Sequence, residues 1–409
     1  MAEAGAIETG RAAYDTAHPV RVAERYEALD SWRGISALLV VLFHFPARNY
    51  LSDAAFMKSG FLFVDFFFVL SGFVIASAYS TRLTSGTDVR RFIFIRFGRL
   101  YPLHFFMLCA FVAFELVRLL VPQLAGNGEP PFTGATNIQS LVSNVLMIHG
   151  WGFENQLTWN SPSWSISTEF FAYLFFAFAI SIIGKGGWLL FLSMAIVGPV
   201  VLYAFSPNLM DASYDYGLVR CLYGFSLGVL LFGFQGRKIR NERSALLADG
   251  ARGGQYMRWT LIEVAMIAAI VVFVIFCGSN RAGVAAPFVF VLAIYVFAHE
   301  GGWFSGLLLK RPFLWLGTIS YSVYMVHIFV QGRMINAATL LDRVAGTSLL
   351  GEIQMHGFSQ IGLAPGNPVL GLALTLLMVA GVLVSAWFTW RFVEMPALWW
   401  FRRQAMRIF

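Results

Sequence analysis

Among the ionisable side chains inside strongly apolar stretches of the 409-residue chain, five stand out: Arg33, His44, Asp65, Glu169 and His327. An ionisable group is costly in hydrocarbon, so it faces other protein and takes a pairing or functional role. A histidine beside a carboxylate is the arrangement of an activated general base, because the acid fixes the imidazole tautomer and stabilises the imidazolium that forms. Such a pair deprotonates a hydroxyl, and the same groups serve equally as a proton relay in a transporter. A second chemistry is suggested by the segment RRFIFIRFGR, Arg90 to Arg99, in which Arg96 and Arg99 stand one helical turn apart. Guanidinium forks suit phosphate oxygens; the alternative is orientation-setting charge beside anionic lipid. No metal site is expected.

The elements that must position these residues follow from composition. Hydrophobic residues make up 58% of the chain, aromatics 16% and charged residues only 12%. Soluble domains carry about 25% charged residues, so a soluble enzyme is excluded. The three cysteines, Cys109, Cys221 and Cys277, all lie in apolar stretches, which excludes a disulfide-stapled secreted fold. Ten apolar segments are each long enough to cross about 30 Å of hydrocarbon as a helix: 29–46, 61–80, 100–121, 164–183, 187–205, 215–235, 258–277, 282–298, 313–334 and 368–392. The expected fold is an all-α polytopic bundle of about ten transmembrane helices. Residues 1–28 read as an N-terminal extension, 29–396 as the membrane domain and 397–409 as a basic tail.

The net charge of +7 does not point to nucleic acid, because the basic residues gather in loops of alternate parity. Arg82, Arg90, Arg91, Arg96 and Arg99 lie in one loop and Arg237, Lys238, Arg240, Arg243, Arg252 and Arg258 in another, while no Lys or Arg stands between Val121 and Trp164. The positive-inside rule then puts both termini in the cytoplasm and 122–163 outside. On this topology His44 and His327 lie about 21 Å from the inner edge, and Asp65 and Glu169 about 6 to 8 Å from the outer one. Four ionisable groups from four spans are thus expected at one depth. Arg33, eleven residues before His44, lies near the same face of its helix and about 16 Å away along the axis.

Several strings in this chain resemble one family. LDSWRGI (Leu29–Ile35), ending in His44, is similar to the opening signature of the membrane acyltransferase 3 family, an Arg and a His separated by ten residues. VDFFFVLSGF (Val64–Phe73), RFGRLYP (Arg96–Pro102), SWSISTE (Ser163–Glu169), GTISYSVYMVH (Gly317–His327) and VEMP (Val393–Pro396) resemble its later motifs, in order, across residues 29–396. The resemblance implies a standalone multi-pass O-acyltransferase of the plasma (cell inner) membrane, without the C-terminal hydrolase-like domain that some relatives carry. It would move an acyl group, usually acetyl, from cytoplasmic acyl-CoA to a hydroxyl of an extracytoplasmic glycan. His44 would be the catalytic base, and Arg33, Arg96 and Arg99 the donor-binding residues. Acyl-CoA is then a substrate, and no permanently bound cofactor is expected.

On this reading Asp65 or Glu169 orients His44, the donor's pantetheine arm threads from Arg33 toward His44, and Ser71 with Gly72 either stabilises the oxyanion or merely permits close helix packing. Glu394 pairs with Arg33 or with the arginine segment, and His327 supports the polar cluster. A covalent acyl-enzyme stays open beside direct transfer. Two rival functions are a proton-coupled transporter using His44, Asp65, Glu169 and His327, and an acyl-donor subunit that serves a separate transferase. The aromatic outer stretch (Phe132, Trp151, Phe153, Trp159) would stack on sugar rings or lie as a cap at the interface. The acceptor's identity and the oligomeric state are not encoded in any motif.

Overall fold

The computed structural model describes residues 25–121, 130–248, 253–355 and 358–409. It is an all-α bundle with one small hairpin. The principal helices are α1 (Glu27–His44), α2 (Phe63–Tyr79, entered by a 3-10 turn from Met57), α3 (Gly86–Leu120), α4 (Ile138–Val145), α5 (Trp164–Phe178), α6 (Gly187–Phe205), α7 (Gly217–Ala248), α8 (Gly254–Cys277), α9 (Ala286–Phe297), α10 (Trp303–Leu308), α11 (Arg311–Ala345), α12 (Pro368–Thr389) and α13 (Met395–Ile408). Among the described residues eight helices are long and apolar enough to cross a membrane. The other two expected spans are helical but fall short. The first, α1, has 18 residues and carries Glu27, Asp30 and Arg33; the second, Arg281–Phe297, is a shorter apolar helix.

Several boundaries differ from the sequence expectation. Ser85 and Asp88 form a reciprocal capping box, so α3 starts at Gly86 and runs 35 residues, about 52 Å. The expected arginine loop is therefore largely helix, and Arg96 and Arg99 stand on α3 instead of before it. The expected tail is likewise helical: α12 passes through a π-turn, Trp390–Glu394, into α13. The helical reading also omitted the antiparallel hairpin β1 (Leu350–Met355) and β2 (Phe358–Leu363). Its Leu363 bridges to Ala47, three residues beyond His44.

The close helix pairs are fixed by small residues. A methyl group on Gly72 of α2 would lie 2.0 Å from the Phe225 carbonyl, and one on Gly228 of α7 would lie 1.9 Å from that of Val69. These two backbones therefore touch, as van der Waals association in lipid requires. Gly72 is accordingly a packing residue. The same device joins α1 to α11: a methyl on Gly34 would lie 2.7 Å from Gly317 N, and one on Gly317 2.3 Å from Asp30 O.

Candidate active site

The Gly34–Gly317 contact sets the register of two parallel helices, and ten residues further along each comes a histidine. His44 and His327 consequently meet, with ring centres 5.2 Å apart and planes tilted by 51°. Each ring is held by its own helix: His44 Nδ1 lies 2.8 Å from Val40 O and His327 Nδ1 2.6 Å from Tyr324 O. A carbonyl only accepts, so both Nδ1 atoms carry the proton and both Nε2 atoms the lone pair. His327 is fully buried, and its Nε2 has no hydrogen-bond partner.

Asp65 and Glu169 do not join this pair. Asp65 takes a fully buried bidentate fork from Arg220, Nε to Oδ1 at 2.9 Å and Nη2 to Oδ2 at 2.8 Å. The remaining Arg220 donors go to the carbonyls of Ala212 and Phe61. The unit ties α2 to α7 with every guanidinium nitrogen engaged, which such a buried charge requires. Arg220 was missed in the sequence, although an arginine in an apolar span calls for a carboxylate in a neighbouring one. Glu169, on α5 after a 3-10 turn at Ser161–Ser163, stands opposite Ser71 of α2 and not opposite Asp65. It accepts from Ser71 Oγ at 2.6 Å and Tyr173 Oη at 2.5 Å. Ser71 comes six residues, about 9 Å, after Asp65 on α2.

Glu169, Ser71 and Tyr173 line a cavity with Arg33, Arg96 and Arg99; its open space amounts to about 820 Å³, part of it continuous with solvent. The three arginines differ in their partners. Arg33 pairs with Asp30 at 3.1 Å and donates to Ser320 Oγ at 3.0 Å. Arg99 is ion-paired with buried Glu394, which also accepts from Ser322; of the two partners expected for Glu394, the arginine segment is the one it meets. Arg96 has no carboxylate within ion-pair distance among the described residues. Its guanidinium lies 5.0 to 5.8 Å from the ring centres of Tyr79, Phe92 and Tyr173, and its Nε is buried without a partner. The cavity is bounded on one side by Phe67 and Tyr324, whose rings are 5.8 Å apart, and Tyr324 is in turn 5.8 Å from His327. The imidazole pair thus sits behind this aromatic wall.

The stretch 130–163 is pinned to α3 by a second imidazole pair. His104 and His149 stack 5.4 Å apart with planes 7° from parallel. His104 Nε2 donates to Asn144 O, and His149 Nε2 to Ser163 Oγ. Burial, with His104 beside it, pushes His149 down to about 3. α4 is polar inside (Ser140, Ser143, Asn144) and apolar outside (Ile138, Val142, Leu146), the pattern of a helix facing lipid. Of the four aromatics in this stretch Trp159 is buried and bonded to Ser140, Trp151 donates to Ser167 O, and Phe153 is 70% exposed.

Comparison with known proteins gives a family match over residues 26–391, described as an acyltransferase domain. Acyltransferase MdmB of Streptomyces mycarofaciens is 32% identical over 39% of this chain and 40% of its own length. Protein 2 in picA locus of Rhizobium radiobacter is 35% identical over 36% of this chain and 78% of its own. O-acetyltransferase OatA of Staphylococcus aureus is 22% identical over 80% of this chain and 55% of its own. The chain therefore spans only about half the length of the first and third of these relatives. No solved structure matches.

Proposed function

This chain belongs to the acyltransferase-domain family, and from that premise we propose that it carries an acyl group, acetyl in the first instance, from cytoplasmic acyl-CoA to a hydroxyl of an extracytoplasmic glycan. The observation that carries the proposal is Arg96: a caged guanidinium without a carboxylate, in a cavity shared with two arginines that have one. A phosphate of the donor is its natural partner, since a partly buried guanidinium without an ion-paired carboxylate attracts an anion strongly. With its phosphates near Arg96 the donor would extend along α1, whose Arg33-to-His44 span of about 16 Å is similar to the pantetheine arm. To reach His44 the thioester must pass the Phe67–Tyr324 wall.

At His44 the lone pair on Nε2 takes the proton of the acceptor hydroxyl as its oxygen attacks the thioester carbonyl. The carbon–sulfur bond then breaks, and the proton leaves the imidazolium for the sulfur, so the cycle is proton-neutral. Arg99 and Glu394 act here as a structural ion pair that shapes the cavity wall. The protein would work in the plasma (cell inner) membrane. Support comes from the family, from the O-acetyltransferase relative and from the separation of a cationic pocket and an imidazole base along one helix.

The test is acetyl transfer by protein purified in neutral detergent, with labelled acetyl-CoA and a set of glycans, beside CoA-binding titrations. Arg96→Ala is expected to weaken CoA binding about 10- to 100-fold, on the order of 1.4 to 2.8 kcal/mol, while His44→Ala keeps CoA affinity and loses turnover. Unchanged CoA affinity in Arg96→Ala would return that residue to a role in orientation or lipid contact. Acylated protein without acylated glycan would point to a donor subunit, and neither product to a transporter.

A further inference from the structure

His44 presents a problem that the acyl-transfer reading leaves unanswered. A general base in an apolar bundle becomes a cation during the reaction, and an isolated cation in low dielectric is strongly disfavoured. The two carboxylates that would have compensated it are engaged elsewhere, Asp65 by Arg220 and Glu169 by Ser71 and Tyr173. Among the described residues, the ring of His327 lies 5.2 Å from that of His44. Its Nδ1–H is fixed on Tyr324 O, and its Nε2 lone pair is fully buried with no donor. Buried acceptors without partners are rare because each forfeits the hydrogen bonds it had in water.

We propose that His327 is the proton-sharing partner of His44. The inference rests on the acyl-transfer reading and adds to it the group that carries the transient charge. When the acceptor's O–H bond breaks, the proton goes to His44 Nε2; it is then held as an Nε2–H···Nε2 hydrogen bond between the two rings, and it passes to the sulfur when the carbon–sulfur bond breaks. Each imidazole starts and ends neutral, and no other proton donor or acceptor is needed. The geometry suits such a bond: an N–H···N contact of about 2.9 Å between ring nitrogens corresponds to ring centres about 5 Å apart, against the 5.2 Å found. Both rings are anchored at Nδ1 and tilted by 51°, so the bond forms when they turn to point the two Nε2 atoms at each other.

Among the described residues, the charged and polar groups on α1, α3 and α11 nearest this pair are engaged elsewhere. On α1, Arg33 is held by Asp30, and on α3, Arg99 is held by Glu394. Arg333, further along α11, lies against the rings of Phe114 and Phe329. Gln331 is bonded to Val41 O. His327 acts through His44 and does not itself touch the acyl group, so it is a positioning residue.

The experiment compares His327→Gln, which keeps an acceptor oxygen, with His327→Phe, which keeps a ring and loses the acceptor. Thiol release from acetyl-CoA is measured with methyl glycosides as hydroxyl acceptors, on detergent-purified full-length protein. His327→Phe is expected to lose about 100-fold in kcat and His327→Gln about tenfold, with KM for acetyl-CoA unchanged in both. If the Phe variant does not fold, His327→Ala with added imidazole decides: recovered rate supports the pairing, and no recovery overturns it. Equal losses in the Gln and Phe variants, a change carried by KM, or a Phe variant with full kcat would each overturn the proposal while leaving the acyl-transfer reading intact. Wild-type protein that neither binds acetyl-CoA nor releases thiol would overturn that reading, and this inference with it.

Discussion

A histidine that donates its Nδ1–H to a carbonyl of the preceding turn keeps its basic nitrogen turned away from its own backbone, and both His44 and His327 are built this way. The tautomer of the base is therefore set by α1 itself, without an acid. This frees Asp65 for a different task, and the distinction can be measured. Asp65→Asn leaves Arg220 buried with an uncompensated charge, so it is expected to destabilise the fold by about 3 to 5 kcal/mol, seen as a lower midpoint of thermal unfolding in detergent. A well-folded Asp65→Asn protein that has lost only turnover would instead mark Asp65 as part of the chemistry. Some buried ionisable residues, Asp65 and His327 among them, were legible in the sequence because charge in an apolar run is conspicuous, whereas Arg220 was not singled out. Their pairing was not legible: depth along a span carries an error of several residues, and Glu169 meets Ser71, six residues after Asp65 on α2.

Elements add what single residues lack, namely a register. Gly34 and Gly317 let α1 and α11 touch, and the equal ten-residue steps to His44 and His327 turn that contact into an imidazole pair at the far end. Both steps are visible in the sequence, but that the two helices are neighbours is not. The stretch 130–163 depends in the same way on the His104–His149 stack. His149 is neutral in the fold, held down to about 3 against an ordinary 6.5, whereas an opened segment takes up a proton below about 6.5. Its contribution is thus fully present above about pH 6.5 and declines as pH falls toward 3, by at most about 1.4 kcal/mol per pH unit. Protection factors of residues 130–163, taken as hydrogen exchange corrected for the pH dependence of the intrinsic rate, are expected to fall between pH 7 and pH 5 in wild type and to be much less pH-dependent in His149→Asn. Equal pH dependence in both would assign the opening to another group.

The whole molecule places a cationic cavity and an imidazole pair at different levels of one bundle, with an aromatic wall between them. Which level faces the cytoplasm was argued from the basic loops, and it predicts a labelling pattern. In a background lacking Cys109, Cys221 and Cys277, a cysteine at exposed Phe153 is expected to react with an impermeant maleimide in intact cells, and one at exposed Arg403 only after lysis. The reverse pattern would invert the bundle and place the donor cavity outside. Composition and hydrophobic runs determined a helical membrane protein by themselves, since any chain with 12% charge must satisfy its backbone within helices or closed sheets in lipid. The ordered motifs determined the family. Only the tertiary structure decided that Arg220 takes Asp65, that Glu394 takes Arg99 and leaves Arg96 without a carboxylate, and that the two histidines face each other. Those outcomes depend on which helices are neighbours and on their axial offset, and close approach at a few glycines fixes both.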